Sequence, residues 1–136
     1  MAVVALVPWQ ARVLLVKRRY GEAKGQWALP GGFMDAGEMP RDALTREVRE
    51  EVGLAVCPEG LLDILPMEGP GMDAIGIVLA YVAPPLSLPP DALAGTDDAA
   101  AARWFDPDAL PDALAFRGTR HLIRCWQRRE SEVGRF

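Results

Sequence analysis

Glu47, Glu50 and Glu51 crowd together in PRDALTREVREEVG, directly after the glycine-rich stretch LPGGFMDAGE. On a helix turning 100° per residue they fall at roughly 0°, 300° and 40°, within one arc. Leu44, Val48 and Val52 take the neighbouring arc and would anchor the helix to a sheet, while Asp42, Thr45 and Arg49 turn to solvent. Like charges at these spacings weaken an isolated helix by roughly 0.2–0.5 kcal/mol per pair. A divalent cation reverses that sign. Mg²⁺ takes hard oxygen ligands, keeps several waters, and is typically held by one or two carboxylates together with substrate phosphates. Gly31, Gly32 and Gly37 admit backbone angles that other residues reach only at a cost, so the loop is shaped for a close approach and could offer the ion a backbone carbonyl.

An arbitrary Glu-rich helix is more often a solvated face. The complete spacing decides otherwise. Residues 32–54 run Gly32, five residues, Glu38, seven residues, then Arg46-Glu47-Val48-Arg49-Glu50-Glu51-Val52-Gly53-Leu54. This fills every fixed position of GX5EX7REUXEEXGU, where U is a bulky aliphatic residue, and the chain resembles the Nudix hydrolase family. Outside that box the likeness continues through the preceding strands, the WALPGG approach and DDAAAARWFDPDALP.

The resemblance implies an α/β protein with the Nudix fold, a mixed β-sheet sandwiched between α-helices. It also implies Mg²⁺-dependent attack of water on a diphosphate within a nucleoside diphosphate derivative, with Mn²⁺ as an alternative metal. Carried over by position, it makes Glu47, Glu50 and Glu51 metal ligands, joined by the carbonyl of Gly31, and pairs Arg46 with Glu38 to hold the loop on the helix. In many relatives the general base is a box glutamate or a glutamate in a loop after the long central strand. Here no glutamate lies between Glu68 and Glu130. Asp97 and Asp98 stand where such a base could arise, although GTDD is equally a turn sequence; Glu50 is the other candidate.

The substrate is less legible. Among relatives a proline about sixteen residues past the box accompanies ADP-ribose hydrolysis, and Pro70 stands sixteen after Leu54. The segment DDAAAARWFDPDALPDALAF also looks like ADP-ribose-type members, but Arg117-Gly118 replaces the Asp-His pair of some. Marks of NADH and coenzyme A hydrolases are not evident. Arg18 and Arg19, at the end of an expected strand, could meet a terminal phosphate, with Gly32 and Phe33 in the loop beside it. Trp27, Phe33 and Phe116 could stack on a base, core packing being the commoner role for all but Phe33. Two other readings stay open: a pyrophosphatase for oxidised or noncanonical nucleoside triphosphates, and a nucleotide sensor that keeps the fold without turnover.

The elements that must position these residues follow from periodicity. Val3–Val7 and Val13–Lys17 read as strands joined by a turn at PWQA, and Gln26–Leu29 as a short strand entering the glycine loop. Pro40 suits the first turn of a helix that Gly53 ends. Leu61–Leu65 and the nearly all-apolar Ala74–Val82 read as strands, the second central in a sheet, with PGMD turning between them. Pro84 to Gly95 is too proline-rich for an interior strand and reads as a long loop. A short strand at Arg103–Phe105, a turn with one helical piece in FDPDALPD, and a helix over Gly118–Arg129 complete the chain.

All 136 residues suit one domain, and half are apolar, enough for a sizeable core. A net charge of -4 argues against a general nucleic-acid binder, which needs a basic field. Arg117, Arg120, Arg124 and Arg128 recur at helical spacing, but a solvated face accounts for them. The partner expected is a small nucleotide. Many relatives pair as dimers, and the apolar first strand offers a surface for a homodimer. Cys57 and Cys125 lie far apart with no CxxC or Cys/His cluster in the sequence, so neither a disulfide framework nor a zinc site is indicated and both read as buried thiols; His121, the sole histidine, reads as a surface or capping residue. No basic leader precedes the first apolar run, and Pro8, Trp9, Gln10 and Arg12 break that run short of a membrane span, so the chain reads as cytoplasmic with no membrane partner. The first strand begins almost at Met1, which leaves room for a native chain starting further upstream.

Overall fold

The computed structural model describes residues 1–19, 21, 23–67, 76–89 and 99–133. The elements run β1 (Ala2–Leu6), β2 (Pro8–Trp9), β3 (Arg12–Arg18), β4 (Trp27–Ala28), β5 (Gly31–Phe33), α1 (Pro40–Val52), β6 (Gly60–Pro66), β7 (Ile77–Val82), β8 (Ala99–Phe105) and α2 (Arg117–Val133). One sheet has the order β5-β1-β7-β6, in which β1 and β7 are parallel and the other pairs antiparallel. In the second, β3 pairs antiparallel with β2, β4 and β8.

Both faces of β1 and β3 are covered, which explains why they read as apolar runs and not as alternating ones. Along β1 and β3 the side chains divide by the two-residue period of a strand. Val3, Ala5, Leu14 and Val16 join Leu44, Val48 and Val52 of α1 in one core cluster. Leu6, Val13 and Leu15 join Leu122, Ile123 and Trp126 of α2 in the other. The sheets thus lie between the two helices, and β7 is central as its composition predicts.

Helix α1 has the expected bounds. Pro40 occupies its first turn, and Gly53 closes it by donating its N–H to the Arg49 carbonyl at 2.9 Å. Helix α2 begins and ends slightly outside the expected range, at Arg117 and Val133.

Several expectations need correction. The first run does not pair as a whole with the second: the Val7 carbonyl accepts the Leu14 N–H at 3.1 Å, and Pro8 and Trp9 pair with Val13 and Arg12 through a turn in which Gln10 and Ala11 have φ of 50° and 62°, while β1 joins the other sheet. Strand β8 starts at Ala99, four residues early, because its alanines pair with the apolar β3 despite their weak strand preference. FDPDALPD forms no helical piece; the Asp106 carboxylate accepts the Asp108 N–H at 2.9 Å and its carbonyl accepts that of Ala109, making a turn. Cys57 is exposed and Cys125 half-buried. Cys57 follows Val56, which bridges to Pro85 and points inward, so strand-like alternation turns the thiol out. The PGMD turn and residues 90–95 of the expected 84–95 loop lie outside the described residues, while 84–89 form no strand.

Leu44 is fully buried where α1 meets the sheet. Leu44→Ala is expected to lower stability by about 2–5 kcal/mol, through lost transfer free energy plus a cavity, measured by urea unfolding at unchanged m-value.

Candidate metal-binding and nucleotide site

The α1 glutamates differ in burial because α1 is fixed to the sheet along one side. Glu51 is 8% exposed, yet its charge has a partner: Oε1 accepts the N–H of Gly31 at 2.7 Å. Glu47 is half-buried, and Glu50 is the exposed member of the three.

Arg46 is the hub of the cluster. Its Nε and Nη2 donate to the two carboxylate oxygens of Glu38 at 2.7 and 2.8 Å, the bidentate fork that a guanidinium makes with a carboxylate. Its Nη1 donates to Glu47 at 2.9 Å and to Glu50 at 3.2 Å. Nη2 also reaches the Phe33 carbonyl at 3.3 Å. One cation therefore ties the glycine loop to the helix and sits between two of the three clustered carboxylates. Arg46 holds the Glu38 carboxyl down at about 2, helped by the Asp35 N–H, and Glu38 in turn raises the guanidinium further above its ordinary value.

The loop glycines work differently from the sequence reading. Gly37 does adopt a left-handed backbone, φ 79°, but Gly31 and Gly32 are strand residues paired to Val4 and Val3. Their need is for space. A Cβ on Gly32 would run into the Glu47 carboxylate, and one on Gly31 into the backbone of Val3 and Val4. Only a chain without side chains can lie this close to the acidic face of α1.

The donor set fits a hard divalent cation. The Glu47 carboxylate lies against Gly32 of β5, Glu51 accepts the Gly31 N–H, and the Arg46 guanidinium, itself a cation, already bridges Glu47 and Glu50. Their ligand atoms are not drawn onto a single point: among the described residues, the group of three that is so drawn is Asp63, His121 and Cys125.

Gly31, Gly32 and Phe33 also form one wall of a cavity of about 870 Å³, a size that holds a nucleotide. Arg18 lines it from β3, and Phe116 and Arg117 from the start of α2. The Arg18 guanidinium lies 5.2 Å above the Phe116 ring, and its Nε is buried with no hydrogen-bond partner among the described residues. Arg19 is half-buried and is not among the residues lining the cavity. Phe33 is 68% exposed. Trp27 is buried and packs edge-to-face on Phe105 at 5.0 Å, so it belongs to the core and is no stacking partner. Asp97, Asp98 and Pro70 lie outside the described residues.

Sequence reasoning undervalued Phe116. Core packing was its expected role, whereas it is exposed, lines the cavity and holds a φ of 63°, strained for a bulky residue. An aromatic residue just before the helix-opening Arg117-Gly118 was the available signal. His121 also acquires a partner invisible in the sequence, Asp63 on β6.

These features define a sheet–helix scaffold with an acidic helix face, a glycine strand against it and a nucleotide-sized cavity alongside. The NUDIX domain family model matches residues 1–125, and the chain belongs to that family. It is 37% identical over 116 residues to the ADP-ribose pyrophosphatase of Methanocaldococcus jannaschii, covering 85% of this chain and 66% of that one. It is 34% identical over 114 residues to the human 8-oxo-dGDP phosphatase NUDT18, covering 84% of this chain and 34% of that protein. This chain therefore spans just under two thirds of the first relative and about a third of the second. Among solved structures, the MutT NUDIX hydrolase from Burkholderia pseudomallei superposes with a TM-score of 0.74 at 29% identity, covering 90% of this chain and 94% of that one. A NUDIX hydrolase from Nitrosomonas europaea gives 0.80 at 24% identity over 95% and 71%, a likeness of fold.

Because the Glu38 carboxyl is held below its ordinary 4.5, the Arg46–Glu38 clasp contributes stability that is complete above about pH 4.5 and fades as pH falls toward about 2. Glu38→Gln is expected to lower the Tm at neutral pH and to flatten its decline across that acid window, followed by thermal denaturation from pH 7 to pH 2.

Proposed function

We propose that this chain is a Mg²⁺-dependent hydrolase that cleaves the diphosphate of nucleoside diphosphate derivatives, with ADP-ribose or a similar nucleoside diphosphate sugar as substrate. The observation that carries the reading is the acidic face of Glu47, Glu50 and Glu51, closed by the glycine strand and opening beside a nucleotide-sized cavity. The 37% identity to an ADP-ribose pyrophosphatase supports the choice of substrate.

Glu47, Glu50 and Glu51, with the backbone of Gly31, would hold the metal. Once bound, such an ion neutralises a diphosphate, acidifies a water and stabilises the leaving phosphate. The remaining work belongs to the protein. Arg46 and Glu38 position the carboxylates, Arg46 by its hydrogen bonds to Glu47 and Glu50 and Glu38 by fixing the guanidinium. Glu50, exposed at the edge of the cluster, can accept the proton of the attacking water; Asp98 is the other candidate base. Arg18 presents a cation to the distal phosphate, and Phe33 and Phe116 offer faces for the base. Mn²⁺ would satisfy the same oxygen donors.

A second reading, hydrolysis of oxidised guanine nucleotides, is favoured by the 34% identity to an 8-oxo-dGDP phosphatase. A turnover panel with Mg²⁺ separates the two: ADP-ribose, other nucleoside diphosphate sugars, and normal and oxidised nucleoside di- and triphosphates. The expected outcome is highest kcat/KM on ADP-ribose or a close analogue, reduced by about 10²-fold or more in Glu51→Gln. Full activity in that variant would refute the ligand assignment, and preference for an 8-oxo nucleotide would replace the substrate assignment.

A further inference from the structure

Strand β6 and helix α2 bring together three side chains that the proposed hydrolysis leaves unused. Asp63 Oδ2 lies 2.8 Å from His121 Nε2, and Cys125 Sγ lies 3.5 Å from the same nitrogen. The three potential ligand atoms all fall within 4.8 Å of one another. His121 and Cys125 stand four residues apart on α2 and so share a helical face; Asp63 meets them from the sheet.

The shared nitrogen separates this cluster from a nucleophilic relay. In a Cys–His–Asp relay the thiol and the carboxylate take opposite ring nitrogens, so that the imidazole passes a proton between them. Here both converge on Nε2, an arrangement that can chelate but cannot relay.

Carboxylate oxygen, imidazole nitrogen and cysteine sulfur form a donor set that zinc accepts and that magnesium does not prefer. Tetrahedral bonds of about 2.0–2.1 Å to nitrogen and about 2.3 Å to sulfur place those two atoms about 3.5 Å apart. The observed 3.5 Å between Nε2 and Sγ agrees with that separation. The same geometry sets nitrogen and oxygen about 3.4 Å apart, so Asp63 need open by only roughly 0.6 Å. The Asp63 side chain is 40% exposed, and its other oxygen, Oδ1, accepts the Ile64 N–H at 2.8 Å, which leaves Oδ2 as the ligand atom. Arg128 Nη2 donates to the same sulfur from 3.3 Å, a second polar contact at Sγ.

We propose that Asp63, His121 and Cys125 form a second metal site, which takes a thiophilic divalent cation of the Zn²⁺ class and is separate from the carboxylates of α1. Cys125 binds as thiolate and releases its proton to solvent, His121 binds through neutral Nε2, Asp63 binds as carboxylate, and water fills the fourth position. The site stands at the rim of the nucleotide-sized cavity, which His121 also lines.

The test is titration of the full chain with Co²⁺ alone, following the sulfur-to-cobalt charge-transfer absorption, then competition with Zn²⁺. The band is expected in the wild type, in Cys57→Ser and in Glu51→Gln, with Zn²⁺ abolishing it. It is expected to vanish in Cys125→Ser and to be lost or greatly weakened in His121→Ala, both checked as folded by far-UV circular dichroism. Asp63→Asn, which leaves α2 untouched, is expected to retain the band but require more Co²⁺ to saturate it. Absence of the band in the wild type, its persistence in Cys125→Ser, or its loss in Cys57→Ser would overturn the proposal. The readout does not depend on hydrolysis, so it stands or falls independently of the proposed activity.

Discussion

The arrangement around the acidic face of α1 depends on how four carboxylates are held close together without mutual repulsion opening the loop. Arg46 supplies much of the answer. Its fork to Glu38 is charge-assisted and bidentate, and its remaining hydrogens reach Glu47 and Glu50, so a single planar group with several fixed donors satisfies three acidic partners. A lysine, with a compact charge on a flexible stem, could not hold the loop and two helix positions about one turn apart in one geometry. Glu51 is compensated separately, by a backbone N–H from the strand beneath it.

This electrostatic arrangement constrains the backbone. The acidic face can be closed only by a strand that comes within contact distance of carboxylates; Gly32 permits that approach to Glu47, and Gly31 permits the strand to lie close against the backbone of β1. The strand is held to that line by its pairing with β1, which is held by β7. The two-sided burial of β1 and β3 therefore bears on chemistry as well as stability: it sets the height at which β5 passes beneath α1. The cavity follows from the same placement, since its floor is β1 and β5 and its far wall is the start of α2.

Much of the site was legible in the sequence because it is local. The periodicity of Leu44, Val48 and Val52 sets which face of α1 is buried, and the spacing of the glutamates then places them at its border. The Arg46–Glu38 pair was legible by family likeness and is present as an ion pair. Less was legible where partners are distant in sequence. Alanines 99–102 carry little strand preference of their own and become a strand because β3 lies beside them. Phe116 looked like core because aromatic residues usually are, and only the position of α2 leaves it at the cavity.

The sequence by itself determined the bounds of α1, the order of its buried and acidic arcs, and membership of a family whose box is contiguous, because all of these depend on separations of a few residues along one helix and its entry loop. Tertiary structure alone decided that the chain changes sheets between β1 and Pro8, that Arg18 faces Phe116, and that Asp63 meets His121 and Cys125. Those contacts join segments up to 98 residues apart, Arg18 to Phe116 being the widest. No periodicity in a single segment encodes which other segment will be packed against it; that is settled when the two apolar faces of the sheets are buried together.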